Sequence, residues 1–185
     1  NRKGKAPGGY CTEYYHRRVP FIFMNAVGTH SDVQTMLHEG GHAFHVFESD
    51  QLPYSAQRDV GMEFAEVASM SMELLSAPYL TKEFGGFYEE EEAKRARIEH
   101  LEKTIMFLPY MAVVDAFQHW AYTNPEMAIE PKKCDERWTE LWNRFQVYDD
   151  LDSSEFKDVI ATGWHNKLLL FHVPFYNVDY VMARL

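Results

Sequence analysis

TMLHEGGHAFHVF, residues 35–47, carries two histidines four positions apart with a glutamate directly after the first. On a helix, positions four apart stack on one face, so His38 and His42 can point both imidazoles at one metal ion. Glu39 follows His38 around the helix and can reach a water at that ion without being a ligand. Two histidine ligands plus a general base is the hydrolytic arrangement that H-E-x-x-H encodes. The competing reading is two histidines on a buried face, each satisfied by ordinary hydrogen bonds. In a chain with nine histidines, a chance match is expected on the order of a few percent of the time. Gly40 and Gly41 each cost roughly 1 kcal/mol of helix stability relative to alanine. Adjacent glycines inside an amphipathic helix therefore ask for close approach of another backbone or of a substrate.

The 185 residues suffice for one domain with a sizeable core. Hydrophobic content of 46% and aromatic content of 15% exclude a disordered chain. A formal net charge of -10 argues against nucleic-acid binding, which needs a basic face. Cys11 and Cys134 make no disulfide framework and fit a reducing, cytoplasmic setting. No apolar run approaches membrane-spanning length, so no membrane partner is expected. The first ten residues, NRKGKAPGGY, lack an apolar signal core. They also lack an initiator Met, which fits a piece of something longer.

The pattern along the chain predicts a mainly α fold, a single domain over residues 1–185, with a short β-hairpin near the N-terminus. A loose leader over 1–9 precedes two short strands at 9–13 and 21–25, with Pro20 as punctuation. Ser31 is the expected N-cap of the helix carrying the histidines, with Asp32 in its first turn. A loop over 49–57 follows. Residues 59–75 form a helix apolar almost all round, hence buried. A long helix spans 88–121, bent or broken at Pro109. Another covers 132–147, with Trp138, Leu141, Trp142 and Phe145 at helical spacing. The run 149–152, rich in Asp, lacks the Gly and closing Glu of a calcium loop and reads as a turn before a cap at Ser153 or Ser154. Helical pattern returns over 155–161 and again from Trp164.

A catalytic zinc takes three protein ligands and keeps one position open. His45 lies a turn beyond His42, and one helix rarely surrounds a tetrahedral ion. Helix 59–75 offers Glu63, Glu66 and Glu73 near one face, costly among apolar residues unless they meet cations, donors or a metal. Glu66 is the choice for third ligand. Glu63 and Glu73 become candidates to hold the far nitrogens of His38 or His42, or else to pair with a nearby Lys or Arg.

Five stretches carry a resemblance: KAPGGY at 5–10, PFIFMN at 20–25, TMLHEGGHAFH at 35–45, FAEVAS at 64–69 and PFYNVDY at 174–180. In this order they resemble the catalytic core of the oligoendopeptidase F and thimet oligopeptidase family of zinc metallopeptidases. That resemblance implies a zincin-like helical catalytic domain, the C-terminal part of a longer architecture. It implies one Zn2+ held by His38, His42 and Glu66, with Glu39 as general base and short oligopeptides as substrates. It also implies a His and one or two Tyr over the scissile carbonyl. Tyr176 and Tyr180 match the tyrosines. Relatives of the bacterial type carry the His near position 169, where this chain has Leu169 with His165 and His172 on either side; His172 is the choice. Two rival readings stand beside this one. A zinc- and peptide-binding fragment with little turnover shares the same ligands. A di-iron carboxylate protein would use Glu39 to His42 together with Glu13 to His16 as paired E-x-x-H motifs.

Overall fold

The computed structural model describes residues 3–6, 8–146 and 155–185. Pro7 of the KAPGGY stretch, the Asp-rich turn at 149–152 and the caps at Ser153 and Ser154 lie outside them. The fold is mainly α-helical with one two-stranded antiparallel sheet. The elements are β1 (Tyr10–Tyr14), β2 (Val19–Phe23), α1 (His30–Ser49), α2 (Ser55–Arg58), α3 (Met62–Leu75), α4 (Glu90–Thr123), α5 (Pro125–Ala128), α6 (Pro131–Phe145), α7 (Lys157–Ala161), α8 (Leu168–His172) and α9 (Asn177–Arg184). Two compact units emerge: residues 1–100 with Arg184, and 101–183 with Leu185. Among the described residues, no helix is long and apolar enough to cross a membrane.

In the first unit the hairpin pairs Tyr10 with Phe23 and Tyr14 with Val19. Its strands are offset from the expected 9–13 and 21–25 because residues 15–18 make the turn, where Arg17 and Arg18 donate backbone hydrogen bonds to the Tyr14 carbonyl. Pro20 lies inside β2, opposite Glu13. Each strand of a two-stranded sheet is an edge strand, the place in a sheet where proline is found. The leader is pinned as well: Asn25 Nδ2 donates to the carbonyls of Ala6 at 2.7 Å and Gly8 at 2.9 Å.

Helix α1 starts two residues earlier than a Ser31 cap would allow. Thr29 is the N-cap and Asp32 the N3 residue of a capping box. Asp32 Oδ2 accepts the backbone N–H groups of Val27, Gly28 and Thr29 at 2.9, 2.6 and 2.7 Å. Those backbone donors, Thr29 foremost, hold its carboxyl below the usual range. A cap at Ser31 would leave that turn unsatisfied.

Helix α3 packs along α1, and only one of its faces is covered. Glu66, Ser69 and Met70 are buried, with Glu73 a turn further on the same face. Phe64 at 67% and Leu75 at 66% exposure lie outside it, which corrects the expectation of a helix buried all round. The two helices meet at backbone distance. A Cβ built on Gly41 would come within 2.5 Å of Ser69 Cα and 2.6 Å of the Ala68 carbonyl oxygen, whereas one on Gly40 meets nothing within 4 Å. Of the adjacent glycines, one is demanded by packing and the other faces open space.

Helix α4 continues unbroken through Pro109. The proline removes one backbone hydrogen bond, and the remaining bonds of the 34-residue helix hold on either side. In the second unit, Met111, Val113, Val114 and Phe117 of α4 form a core with Cys134, Trp138 and Leu141 of α6 and Leu170 of α8. Cys134, Trp138 and Leu141 recur at helical spacing on the buried stripe of α6. Trp164, in the 3-10 turn Gly163–Asn166, is fixed by its Nε1 donating to Asp135 Oδ1 at 2.9 Å.

The glycine pair gives a direct test. Gly41→Ala is expected to lower the free energy of unfolding by about 1–3 kcal/mol through overpacking. Gly40→Ala is expected to raise it by up to about 1 kcal/mol through helix propensity. Urea unfolding followed by circular dichroism reads both; equal effects of the two substitutions would contradict the close crossing.

Candidate metal centre

Helix periodicity places His38 and His42 one turn apart on the α1 face turned to α3, their ring centroids 5.1 Å apart and nearly perpendicular. From α3, Glu66 Oε2 reaches between them, 3.2 Å from His38 Nε2 and 3.7 Å from His42 Nε2. One donor atom from each of the three residues lies within 4.8 Å of the others, and this is the group of that kind among the described residues. His45 and Glu63 are not in it. The Glu63 carboxylate folds back beside Gly61 at the N-terminus of its own helix, where the helix dipole favours it.

This geometry fits a tetrahedral ion. Zinc–ligand bonds of about 2.1 Å set neighbouring donors about 3.4 Å apart, and the two separations from Glu66 bracket that value. The donor chemistry, two imidazoles and one carboxylate, is that of catalytic zinc sites. Glu66 is only 1% exposed, and a carboxylate so deeply buried requires a cation or strong donors beside it.

Behind these donors lies a supporting layer. Glu73 Oε1 meets His38 Nδ1 at 2.7 Å, leaving Nε2 directed at Glu66. A carboxylate on the far nitrogen fixes the tautomer and ring orientation of a metal-binding histidine. The other Glu73 oxygen lies 3.6 Å from His100 Nδ1 on α4. Ser69, fully buried, places its Oγ 3.0 Å from Glu66 Oε2 and 3.0 Å from the Glu66 carbonyl. Sequence reasoning passed over Ser69. Its spacing from Glu66, three positions along a helix, was the available signal.

The electrostatics follow from burial and from three carboxylates in one place. Burial disfavours the imidazolium of His38, but hydrogen bonds to Glu66 and Glu73 outweigh it and hold that imidazole up to about 9. His42, with Glu66 beside it but burial dominant, is pushed down. Burial pushes the Glu39 carboxyl up, and the charge of Glu66 adds to this. The charge of His38, and less so the Cys11 backbone N–H on β1 that donates to Glu39, works in the opposite direction. Gly9 adjoins the same carboxylate, since a Cβ there would be 3.4 Å from Glu39 Oε1. A cleft of about 300 Å³ opens here, lined by Gly9, Gln34, Thr35, His38, Glu39 and Glu73 among others.

The remaining sequence candidates lie in the second unit. His172 is exposed at the end of α8. Tyr176 and Tyr180, half-buried, stack edge to face with hydroxyls 3.3 Å apart. Tyr180 also meets Phe107. Phe175, just before Tyr176, takes a φ of 64°, a costly left-handed conformation for an aromatic residue that bends the chain into α9. His165 is exposed and packs on Trp164. The di-iron reading loses its second motif: Glu13 is in β1, not on a helix, and its carboxylate lies 3.5 Å from Arg58.

A two-helix H-E-x-x-H centre completed by a glutamate defines the class of metal-site proteins to which the chain compares. Residues 1–183 match the sequence profile of peptidase family M3. The chain belongs to that family. Solved structures agree. Pz peptidase A with inhibitor 2 superposes with a TM-score of 0.86 at 33% identity, over 99% of this chain and 31% of that one. A Bacillus anthracis str. Ames protein described as an oligoendopeptidase F gives 0.78 at 33% identity, over 100% of this chain and 28% of that one. A further structure described as an oligoendopeptidase F, solved at 3.1 Å, gives 0.82 at 35% identity, over 99% and 31%. The chain thus spans about a third of the length of these proteins. No curated protein sequence matches it significantly.

Ser69→Ala is expected to weaken zinc binding about 10- to 100-fold, the usual effect of losing a group that orients a ligand, with the fold intact by circular dichroism. Competition with a chromophoric chelator measures this. An unchanged affinity would mean that Ser69 does not hold Glu66.

Proposed function

We propose that the chain is the catalytic core of a zinc-dependent metalloendopeptidase that hydrolyses peptide bonds in short oligopeptides. The single observation that carries this reading is the convergence of His38, His42 and Glu66 with Glu39 beside them on α1. His38, His42 and Glu66 would hold one Zn2+. When bound, zinc supplies Lewis-acid polarisation of the peptide carbonyl and of the attacking water.

The chain's own residues do the rest. Glu39 takes a proton from the attacking water and hands it to the leaving amine nitrogen. A carboxyl pushed up by burial is the better base for this. Glu73 keeps the His38 ring oriented, and Ser69 does the same for Glu66. Gly40, with open space where a side chain would be, leaves room for a peptide to pass along α1. The oxyanion of the tetrahedral intermediate would take hydrogen bonds from Tyr176, Tyr180 and His172, roles that rest on the family resemblance. A cytoplasmic setting suits two cysteines that are both free.

A quenched oligopeptide assay on the zinc-loaded chain tests this. Glu39→Gln is expected to keep one zinc per chain while cutting the cleavage rate by about 10²- to 10⁴-fold. Removal of the metal by a chelator is expected to abolish cleavage and added zinc to restore it. Equal rates in the two proteins would overturn the assignment of Glu39. Stoichiometric zinc with no cleavage by either would favour a binding fragment without turnover.

A further inference from the structure

Glu73 stands behind His38 with one oxygen committed, its Oε1 2.7 Å from His38 Nδ1. A carboxylate has a second oxygen to satisfy, and the Glu73 side chain is only 11% exposed. The last torsion of a glutamate side chain has broad wells. A carboxylate held at one oxygen alone can therefore turn, and Oε1 would swing off the imidazole that it orients. What faces Oε2 is His100, its Nδ1 3.6 Å away and its side chain 17% exposed. That separation is an ion-pair contact, longer than a hydrogen bond, and it acts through charge and dipole.

His100 is held at this place by its own helix. Ala93, Ala96 and His100 fall at i, i+3 and i+7, one stripe of α4. The two alanines, 0% and 5% exposed, form a small core with Leu80, and Leu37, the residue before His38 on α1, packs against it. Arg97 Nη1 donates to the Ala77 carbonyl just beyond the end of α3 at 3.4 Å. Helix α4 is thus tied to both helices of the candidate metal centre, and all of these residues belong to the first unit. The Glu73 carboxylate lies between two imidazoles, one oxygen toward each: His38 from α1 and His100 from α4.

We propose that His100 is a positioning residue of the metal centre, holding the Glu73 carboxylate so that Glu73 in turn orients His38 toward the ion. Resting on the zinc reading above, this role gives His100 no contact with the ion or with substrate. It also separates His100 from a histidine that only fills space, because the nitrogen at the Nδ1 position is what matters.

Two variants of the full chain test this. His100→Leu keeps the bulk and removes the nitrogen, whereas His100→Asn loses bulk but keeps a donor where Nδ1 stands. A packing role predicts that the Asn variant is the damaged one; the positioning role predicts the reverse. Zinc affinity, read by competition with a chelator, is expected to fall about tenfold in His100→Leu, the lower range for losing a group that orients a ligand, and to stay near wild type in His100→Asn. In the metal-free protein, NMR of labelled histidine reads the His38 Nδ1 proton, identified by its loss in Glu73→Gln. That resonance is expected to shift and broaden in His100→Leu and to persist in His100→Asn. Should His100→Leu fail to fold, His100→Ala takes its place with the same expectations. Arg184, which also feels the Glu73 charge, is unchanged throughout, so the losses are those of His100. An unmoved resonance or an unchanged zinc affinity in His100→Leu, or equal losses in both variants, would overturn the proposal. A wild type that binds no zinc would overturn the zinc reading instead, and the resonance would still decide whether His100 positions His38.

Discussion

The candidate metal centre depends on the crossing of α1 and α3 at Gly41 and Ser69, where the two backbones come too close for a side chain on α1. That approach lets a side chain as short as glutamate reach from one helix to histidines on the other. Glu66 Oε2 arrives 3.2 and 3.7 Å from the two imidazoles. A Cβ at position 41 would force the helices apart, and the donor set would open with them. The same contact makes Ser69 serve twice. Its Cα is the close-packing partner of Gly41, and its hydroxyl is at hydrogen-bond distance from the carboxylate oxygen that faces the histidines.

Charge explains why this crossing is specific. Glu39, Glu66 and Glu73 bring three carboxylates to one poorly solvated place, an arrangement that is unfavourable unless positive charge lies among them. The carboxylates stabilise that positive charge in either of two forms, a proton on His38 or a divalent ion between His38, His42 and Glu66. The high proton affinity of His38 and the fit of the donors to a tetrahedral ion are thus two expressions of one electrostatic field. Glu39 feels the same field in the same direction: burial first, and then the neighbouring Glu66 charge, make its carboxylate more basic. The proposed ligation and proton transfer would therefore be set by the same buried acidic cluster.

Much of this was legible in the sequence because it rests on short, regular spacing. Histidines four apart must share a helix face, and a glutamate on an otherwise apolar helix must meet a cation or a donor. The choice of Glu66 over Glu63 and Glu73 needed more, since all three lie near one face. The structure separates them by what each touches: Glu66 faces both histidines, Glu73 lies behind one, and Glu63 turns to its own helix end. Features that depend on tertiary neighbours were not legible. Ser31 read as the cap, but the cap is Thr29 because Asp32 gathers three backbone N–H groups of the preceding turn. Helix α3 read as buried all round because hydrophobicity alone does not say which of its faces has a neighbour. Pro109 read as a bend or a break, and it is not a break: it lies in a helix long enough to tolerate one lost bond.

The central claim, one divalent ion gripped by two imidazoles from α1 and one carboxylate from α3, is tested most directly by zinc-edge X-ray absorption on the metal-loaded chain. The account predicts two imidazole nitrogens and a carboxylate oxygen at about 2.0–2.2 Å, with no sulfur in the shell. A sulfur neighbour at about 2.3 Å, a third imidazole, or an unchanged spectrum in Glu66→Ala would contradict it.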